Sequence, residues 1–470
     1  MNAQVRDRDW RALAAGVAGE VILPGSSAYD QARRPAGERF ADVRPQAVIR
    51  CAGTSDVIGA VAFARRFAVP MAIRSGGHDF AGRSSTSGLL LDLSRIDRIS
   101  LTGGTVAIGA GARLSAVDGA LHRTGRAIPG GSGASVAIAG LALGGGLGLL
   151  GRSHGLTCDS LLRAQVVLAD GRVVWCDQGH EADLFWALRG AGAGSFGVVT
   201  ELVFKTVPAP RCTAFELTWD YAAAAQVLAA WQSWAPDGPA ELAASLLLNA
   251  AADPRYPPWV TVLGAAPGLP RERTGQLLDT LVSSVGSGSL TRWCTQGSWL
   301  DAKTVLARRA PGAGTGRSYS KSGFFDRRLP AMAIGELAAL FAADRVAGEA
   351  RELDFTPWAG AYNRIPAEAT SFPHRADLFL LKHAVTLVPG TAASPASPSG
   401  WLSRSWELVR PYGTGGAYPN FPDPDLADPA RAYFGLNLRR LARTKHAYDP
   451  EDVFAALGSR LPREPTVSRS

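Results

Sequence analysis

A single histidine, His78, sits among glycines, serines and charges in Arg74-Ser-Gly-Gly-His-Asp-Phe-Ala-Gly-Arg-Ser-Ser85, directly after the apolar run Val69-Pro-Met-Ala-Ile73. Its imidazole titrates near neutral pH, so even a modest environment decides whether it carries charge, donates or accepts. Two more glycine-dense stretches follow, one from Gly130-Gly131-Ser-Gly133 through Gly140 to Gly144-Gly145-Gly146-Leu-Gly148, the other from Gly190 to Gly197. Glycine costs backbone entropy, so such density implies tight turns or a ligand pressed against the main chain. In the first loop Gly76, Gly77 and Gly82 allow close approach, Ser75, Ser84 and Ser85 can add hydrogen bonds, and the arginines add charge. This suits a diphosphate held by backbone N–H groups of irregular loops.

Other phosphate motifs fit less well. The spacing Gly192-Ala-Gly194-Ser-Phe-Gly197 has a predicted helix before it and a predicted strand after it, the reverse of a dinucleotide-binding βαβ turn. No Gly-Lys-Ser or Gly-Lys-Thr follows any glycine run, which excludes a P-loop. The remaining histidines show no ligand-pair spacing, and the five cysteines are scattered without a Cys-x-x-Cys pair, so no metal is expected.

The elements that must position these residues alternate over 45–206. A strand near Val48–Cys51 leads to a helix from Thr54-Ser-Asp56, read as N-cap chemistry, with Val57, Ile58, Val61 and Ala64 at helical spacing. Strands follow at 69–73, 89–93 and 105–108, then a helix from Leu114 to His122 ending near Gly125. The pieces 162–168 and 173–175 around Asp170-Gly171 predict a hairpin with a type I′ turn. A short helix at 181–188 and a strand at 198–204 complete this part. Val207-Pro-Ala-Pro210 reads as a boundary. Beyond it, strands at 213–219, 245–249, 259–263, 353–356 and 378–387 and helices near 221–234, 270–284 and 330–342 predict an α+β unit on an antiparallel sheet. A surface loop over 388–400 precedes a helix at 401–410, and another helix is expected around 436–446.

A chain of 470 residues exceeds what one hydrophobic core normally supports, so more than one domain is expected. With 46% apolar and 19% charged residues it is globular. No stretch approaches the roughly 18 apolar residues of a membrane helix, and Arg and Asp interrupt the first residues where a signal peptide would be apolar, so a cytoplasmic protein is expected. The net charge of +8 is dispersed and interleaved with acids, which argues against nucleic acid but remains compatible with an anionic ligand.

Taken together, the loop 74–85, the stretch 139–161 and the stretch 183–200 resemble the FAD-binding blocks of the berberine-bridge-enzyme-like flavoproteins, within the vanillyl-alcohol-oxidase, or PCMH-type, fold group. Tyr418-Pro-Asn-Phe-Pro-Asp-Pro-Asp-Leu426, Tyr433-Phe-Gly-Leu-Asn437 and Tyr448-Asp-Pro450 resemble that family's C-terminal signature, and the motifs occur in family order. The resemblance implies an α+β fold in which a PCMH-type FAD-binding domain, residues 1–206, is closed by the C-terminal segment 408–470, with a substrate domain at 207–407. It implies FAD as cofactor, contacted by Arg74, Ser75, Gly76, Gly77, His78, Asp79, Ser84 and Ser85, by Gly133, Gly140, Gly144, Gly145, Gly146 and Gly148, and by Val198, Asn420 and Asn437.

In the family, the histidine at the position of His78 is bonded to the flavin 8α carbon. Many members add a cysteinyl link where this chain has Gly133, so a single attachment is expected. For proton removal the resemblance points first to Tyr418, with Tyr433 also lining the site; Phe421 stands where relatives often have a second tyrosine. The implied activity is oxidation of a C–O or C–N bond of a small molecule, with O2 or another acceptor reoxidising the flavin. Oligomeric state and substrate stay open, as do two alternatives: a dehydrogenase or reductase of the same fold with non-covalent FAD, and a redox-inactive binding protein.

Overall fold

The computed structural model describes residues 5–309, 316–389 and 398–454. The first sheet joins β1 (Glu20–Ile22), β2 (Ala47–Arg50), β3 (Met71–Arg74) and β4 (Leu89–Asp92) in the order β1-β2-β4-β3. Strands β2, β4 and β3 run parallel, and the helix Thr54–Phe67 makes the crossover from β2 to β3. That helix begins after Gly53, and Asp56 does not cap it. Its carboxylate accepts the N–H groups of Ala18, Gly19 and Ala52 at 2.8–2.9 Å, tying the N-terminal segment to the end of β2.

The strands β5 (Ile99–Thr102), β6 (Thr105–Gly109), β7 (Arg126–Ala127), β8 (Leu161–Val167), β9 (Val173–Asp177), β10 (Val198–Lys205) and β11 (Val207–Pro208) follow. Five of them form a second sheet, β5-β6-β10-β8-β9, and β7 pairs with β11. The hairpin between β8 and β9 is present, but its turn is not type I′. Gly171 alone is left-handed, at φ +86°, and its N–H donates to the Leu168 carbonyl across Ala169 and Asp170. A turn of ordinary hand followed by one left-handed glycine needs no positive φ at Asp170.

The third sheet contains β12 (Cys212–Asp220), β13 (Ala243–Ala250), β14 (Trp259–Pro267), β15 (Thr291–Gly297), β16 (Arg317–Phe325), β17 (Glu349–Pro357) and β18 (Phe379–Leu387) in the antiparallel order β15-β12-β14-β13-β17-β18-β16. β15, β16 and the helix Trp299–Arg309 were not foreseen. β15 is an edge strand with little buried surface, so its polar sequence carries no alternation. β16 is polar but buried at Ser320, Lys321 and Ser322; Lys321 meets Asp423 of the tail at 3.0 Å. Most of the expected loop 388–400 lies outside the described residues.

One face of the third sheet packs against the helices Ala224–Asp237, Arg271–Val285, Ala331–Ala342 and Trp401–Val409, around Trp219, Trp231, Phe355, Phe379 and Trp401. β17 shows the period clearly: Glu349, Arg351, Leu353, Phe355 and Pro357 are buried, while Ala350, Glu352, Asp354 and Thr356 point to the other face. The tail joins the core of the first two sheets through Ala417, Tyr433, Phe434, Leu441 and Phe454. Among the described residues no helix is long and apolar enough to cross a membrane.

Candidate functional site

A cleft of about 830 Å³ lies where the loop after β3, the glycine stretch 131–149, the open face of the third sheet and the tail converge. Ser75, Gly76, Gly77, His78, Asp79, Ser84 and Ser85 line it, as do Gly133, Gly140, Gly148, Tyr418 and Asn420. The residues that the resemblance assigns to FAD and that face this cleft therefore come from three separated parts of the chain.

Hydrogen bonds within the loop and to the tail fix its shape. Asp79 Oδ1 accepts from the N–H groups of Ala81 and Arg83 at 3.0 and 2.9 Å, its Oδ2 meets Arg83 Nε at 2.7 Å, and Arg83 Nη2 reaches the Pro419 carbonyl at 3.0 Å. Gly76 has to be glycine for a different reason: a Cβ there would stand 2.7 Å from the Ala137 nitrogen. The loop and the segment 134–137 can therefore touch, and they bring His78 Nε2 to 3.2 Å from Ser135 Oγ. Burial pushes the His78 imidazole below its usual range, the Ser135 backbone works the other way, and Arg113 lowers it further. The net effect favours the neutral ring.

Several expected cofactor residues lie outside the cleft lining, held elsewhere by hydrogen bonds, turn geometry or burial. Arg74 is buried, and its guanidinium donates to the carbonyls of Ala32, Arg33, Arg34 and Ser84 at 2.9–3.1 Å, fastening the loop's base. Burial lowers it to about 10. Gly144 presses against Asn420, and Gly145 and Gly146 form the left-handed turn beside it, at φ +114° and +91°. Val198 is fully buried at the start of β10. Asn437 donates to the Ala367 and Thr370 carbonyls at 2.9 and 3.1 Å. Tyr433 is also buried away from the cleft, where its hydroxyl accepts the Asp423 N–H at 2.8 Å.

Tyr418 is placed differently. Its buried Oη accepts from the Gly146 N–H at 3.0 Å and from Asn420 Nδ2 at 3.2 Å, and among the described residues it donates to none. Burial raises it well above the tyrosine range, opposed by these N–H donors. A neutral hydroxyl with its own hydrogen uncommitted can donate to a ligand in the cleft.

The open sheet face adds residues that sequence patterning missed. Asp354 and Lys382 are directly opposite in the β17–β18 register and both line the cleft, with Ser245, Leu263 and Thr356 beside them. Lys382 Nζ lies 2.8 Å from Glu352, 3.6 Å from Asp354 and 5.2 Å from the Phe421 ring. Burial raises the Asp354 carboxyl, with Lys382 opposing; burial works to lower Lys382, but Glu352 and Asp354 outweigh it and hold the ammonium charged. The alternation buried–open along β17 is the signal that could have marked Asp354.

Among the polar residues of the middle region, Tyr362 reaches the cleft. Lys321, Arg375 and His383 bond instead to Asp423, Asp159 and Ser405, Asn363 to the Asp377 carbonyl and His374 to the Tyr433 carbonyl. Arg152 lines the cleft, yet its guanidinium donates to four carbonyls between Ala235 and Leu242 at 2.6–3.0 Å, clamping the third sheet's helix layer to the glycine stretch. Among the described residues no group of His, Cys, Asp and Glu could hold a metal ion.

The donor set fits a flavin dinucleotide. The cleft volume is in the range of cofactor sites, and glycines let the main chain approach. Ser84 Oγ is buried at the lining with no partner among the described residues, so a ligand oxygen can take its hydrogen.

Comparison with known proteins agrees. The model of the FAD binding domain matches residues 45–177, and the model described as berberine and berberine like matches 417–458. The uncharacterized FAD-linked oxidoreductase YgaK of Bacillus subtilis is 30% identical over 450 residues, covering 93% of this chain and 95% of that protein. The structure of BBE-like 1 from Physcomitrella patens has a TM-score of 0.85 at 27% identity, with 97% of this chain and 99% of that one covered. Glucooligosaccharide oxidase from Acremonium strictum, with its 6-S-cysteinyl, 8α-N1-histidyl FAD, has a TM-score of 0.84 at 26% identity over 95% and 98%. A cleft lined by the expected glycine loops, relatives that align along nearly the whole chain and matching models at both ends of the fold lead to one conclusion: this FAD-dependent oxidoreductase belongs to the berberine-bridge-enzyme-like family.

Proposed function

We propose that this enzyme holds FAD through one covalent bond, from His78, and oxidises a C–O or C–N bond of a small molecule that enters between the glycine loops and the open face of the third sheet. The observation that carries this reading is the meeting of His78, Tyr418 and Asp354 in one cleft. FAD, held by the glycine loops and His78, would supply a two-electron acceptor that O2 or another acceptor could reoxidise.

The chain supplies the rest. Asp354 takes the proton from the substrate hydroxyl or amine. Its raised carboxyl brings its proton affinity nearer to neutral pH than an exposed acid would have, which suits a general base. Lys382 holds that carboxylate on the cleft side, and Glu352, its nearer partner, keeps the lysine charged when Asp354 is protonated. Tyr418 donates its free hydrogen to the substrate heteroatom and orients it, while the Gly146 and Asn420 N–H groups fix the phenol oxygen. Tyr433, buried outside the cleft lining with its hydroxyl on the Asp423 N–H, is assigned the role of a brace for the tail.

Cys51, Cys158, Cys176 and Cys212 are buried free thiols and Cys294 is also unpaired, which supports residence in a reducing compartment such as the cytoplasm. The likeness to a glucooligosaccharide oxidase makes oligosaccharides the first substrates to try, followed by primary alcohols and amines. The test is acid precipitation of the purified protein followed by a substrate panel read as bleaching of the flavin's visible band. Yellow pellets and bleaching by one substrate class are expected. Flavin released into the supernatant overturns the tether, and a flavin that no oxidisable substrate or chemical reductant bleaches overturns the redox role.

A further inference from the structure

We propose that Ser135 is a positioning residue for the covalent attachment of the flavin: it takes the hydrogen of His78 Nε2 and so presents the Nδ1 lone pair as the nucleophile. The inference rests on the reading of His78 as the tether and adds the group that makes the ring competent for it.

The geometry is specific. Ser135 Oγ stands 3.2 Å from His78 Nε2, and among the described residues no residue other than Ser135 bonds to the ring nitrogens. The Ser135 backbone also acts on the ring as a hydrogen-bonding partner. A neutral imidazole carries one hydrogen; with the Ser135 hydroxyl 3.2 Å away accepting it at Nε2, Nδ1 is left with its lone pair.

Ser135 is itself fixed. The Arg113 guanidinium donates to its carbonyl, the Leu114 N–H donates to the Val136 carbonyl at 2.9 Å, and the Ser115 N–H donates to the Ala134 carbonyl at 3.0 Å. The start of the helix Leu114–His122 thus holds the segment in register, and Gly76 lets the loop come against it.

Arg113 has a second effect. Bond formation at Nδ1 leaves the ring positively charged unless Nε2 gives up its proton, and a cation nearby makes that charge costly. Ser135 is exposed, so its hydroxyl connects Nε2 to water. In the balanced step a bond forms between Nδ1 and the flavin 8α carbon, and one C–H bond of that methyl group breaks. Its hydrogen leaves as a proton, the Nε2 proton passes through the serine hydroxyl to water, and two electrons reduce dioxygen to hydrogen peroxide.

The test uses the full chain produced under riboflavin limitation and then mixed with FAD in air. Covalent incorporation is followed as acid-stable flavin and by intact mass. Ser135→Ala is expected to slow incorporation roughly tenfold, the effect of one side-chain hydrogen bond on a barrier. Ser135→Thr keeps the hydroxyl and is expected to restore the wild-type rate, which a merely structural role of the serine would not require. Equal rates in wild type and Ser135→Ala, or a threonine variant as slow as the alanine one, overturn the role of Ser135 and leave the tether standing. A wild type that never acquires acid-stable flavin overturns the tether and this inference together.

Discussion

Replacing Gly144 by alanine tests whether the tail is seated on the glycine stretch as described. The backbone at Gly144 has φ −103°, so alanine brings no conformational strain of its own. The obstacle is steric: the new Cβ would lie 2.1 Å from Asn420 Oδ1 and 2.7 Å from its Cγ. The amide must leave, and with it go the bonds from Nδ2 to the Leu141 carbonyl at 2.9 Å and to Tyr418 Oη at 3.2 Å. At about 1 kcal/mol for each neutral bond, plus about 1 kcal/mol for a carbonyl left without its donor, the loss is roughly 3 kcal/mol. Because Asn420 lines the cleft, flavin loading should fall along with stability.

Urea unfolding followed by tryptophan fluorescence reads the first effect, and the ratio of flavin to protein absorbance reads the second. The decisive comparison is a double-mutant cycle with Asn420→Ala, which removes the obstructing amide. Gly144→Ala made in that background should cost little more, giving a coupling of about 2 kcal/mol or larger. Additive effects would refute the steric argument, and wild-type stability and loading in Gly144→Ala would refute the placement of the tail.

Other outcomes follow from the same geometry. Asp354→Asn should lower kcat/KM by roughly 10²–10⁴ with the first substrate found, and should flatten the acid limb of the pH profile, where the wild type gains activity as the carboxyl ionises. Flavin content should be unchanged, and an intact acid limb in the variant would exclude Asp354 as the base. Buried His383 is depressed to about 3, so it stays neutral in the folded protein while the unfolded chain takes up its proton below the ordinary histidine value. Its contribution to stability is complete above that value and is lost as pH falls toward 3; His383→Gln should narrow the stability difference between pH 7 and pH 5 by roughly 2 kcal/mol. Matching pH dependence in urea midpoints of the two proteins would contradict this. Gly133 lines the cleft with an unstrained φ, and a Cβ there meets only the Val136 methyl at 3.0 Å, so Gly133→Cys should fold and add a second acid-stable link, seen as a changed flavin spectrum. Free thiol at position 133 in the flavin-loaded protein, measured with a thiol reagent after denaturation, would count against it.

Much of the fold was legible because it depends on local rules. The helix Leu114–His122 and the strand pair β8–β9 follow from side-chain period, and the change to a large antiparallel sheet follows the Pro-rich break at 207–210. β16 was not, because Arg317-Ser-Tyr-Ser-Lys-Ser is polar and becomes a buried strand only when Asp423, a hundred residues away, neutralises Lys321 at 3.0 Å. Asp56 was legible as a helix-start residue but not as the acceptor of three N–H groups from other segments, since a carboxylate binds whatever donors the fold brings to it.

The candidate site divides along the same line. By itself the sequence determined where backbone can come close and where a lone imidazole stands, because glycine, serine and histidine carry those properties in their own chemistry. Which of the motif residues face the cleft was decided only in three dimensions. Arg74 turned to hold backbone, Tyr433 and Asn437 became buried braces, and Asp354 and Lys382 came to face the cleft through one alternation of a strand. Ser135, too, met His78 through a contact between separate loops that only a glycine at 76 permits. Residue type fixes what a side chain can do; its neighbours, set by packing between distant segments, fix which of those things it does.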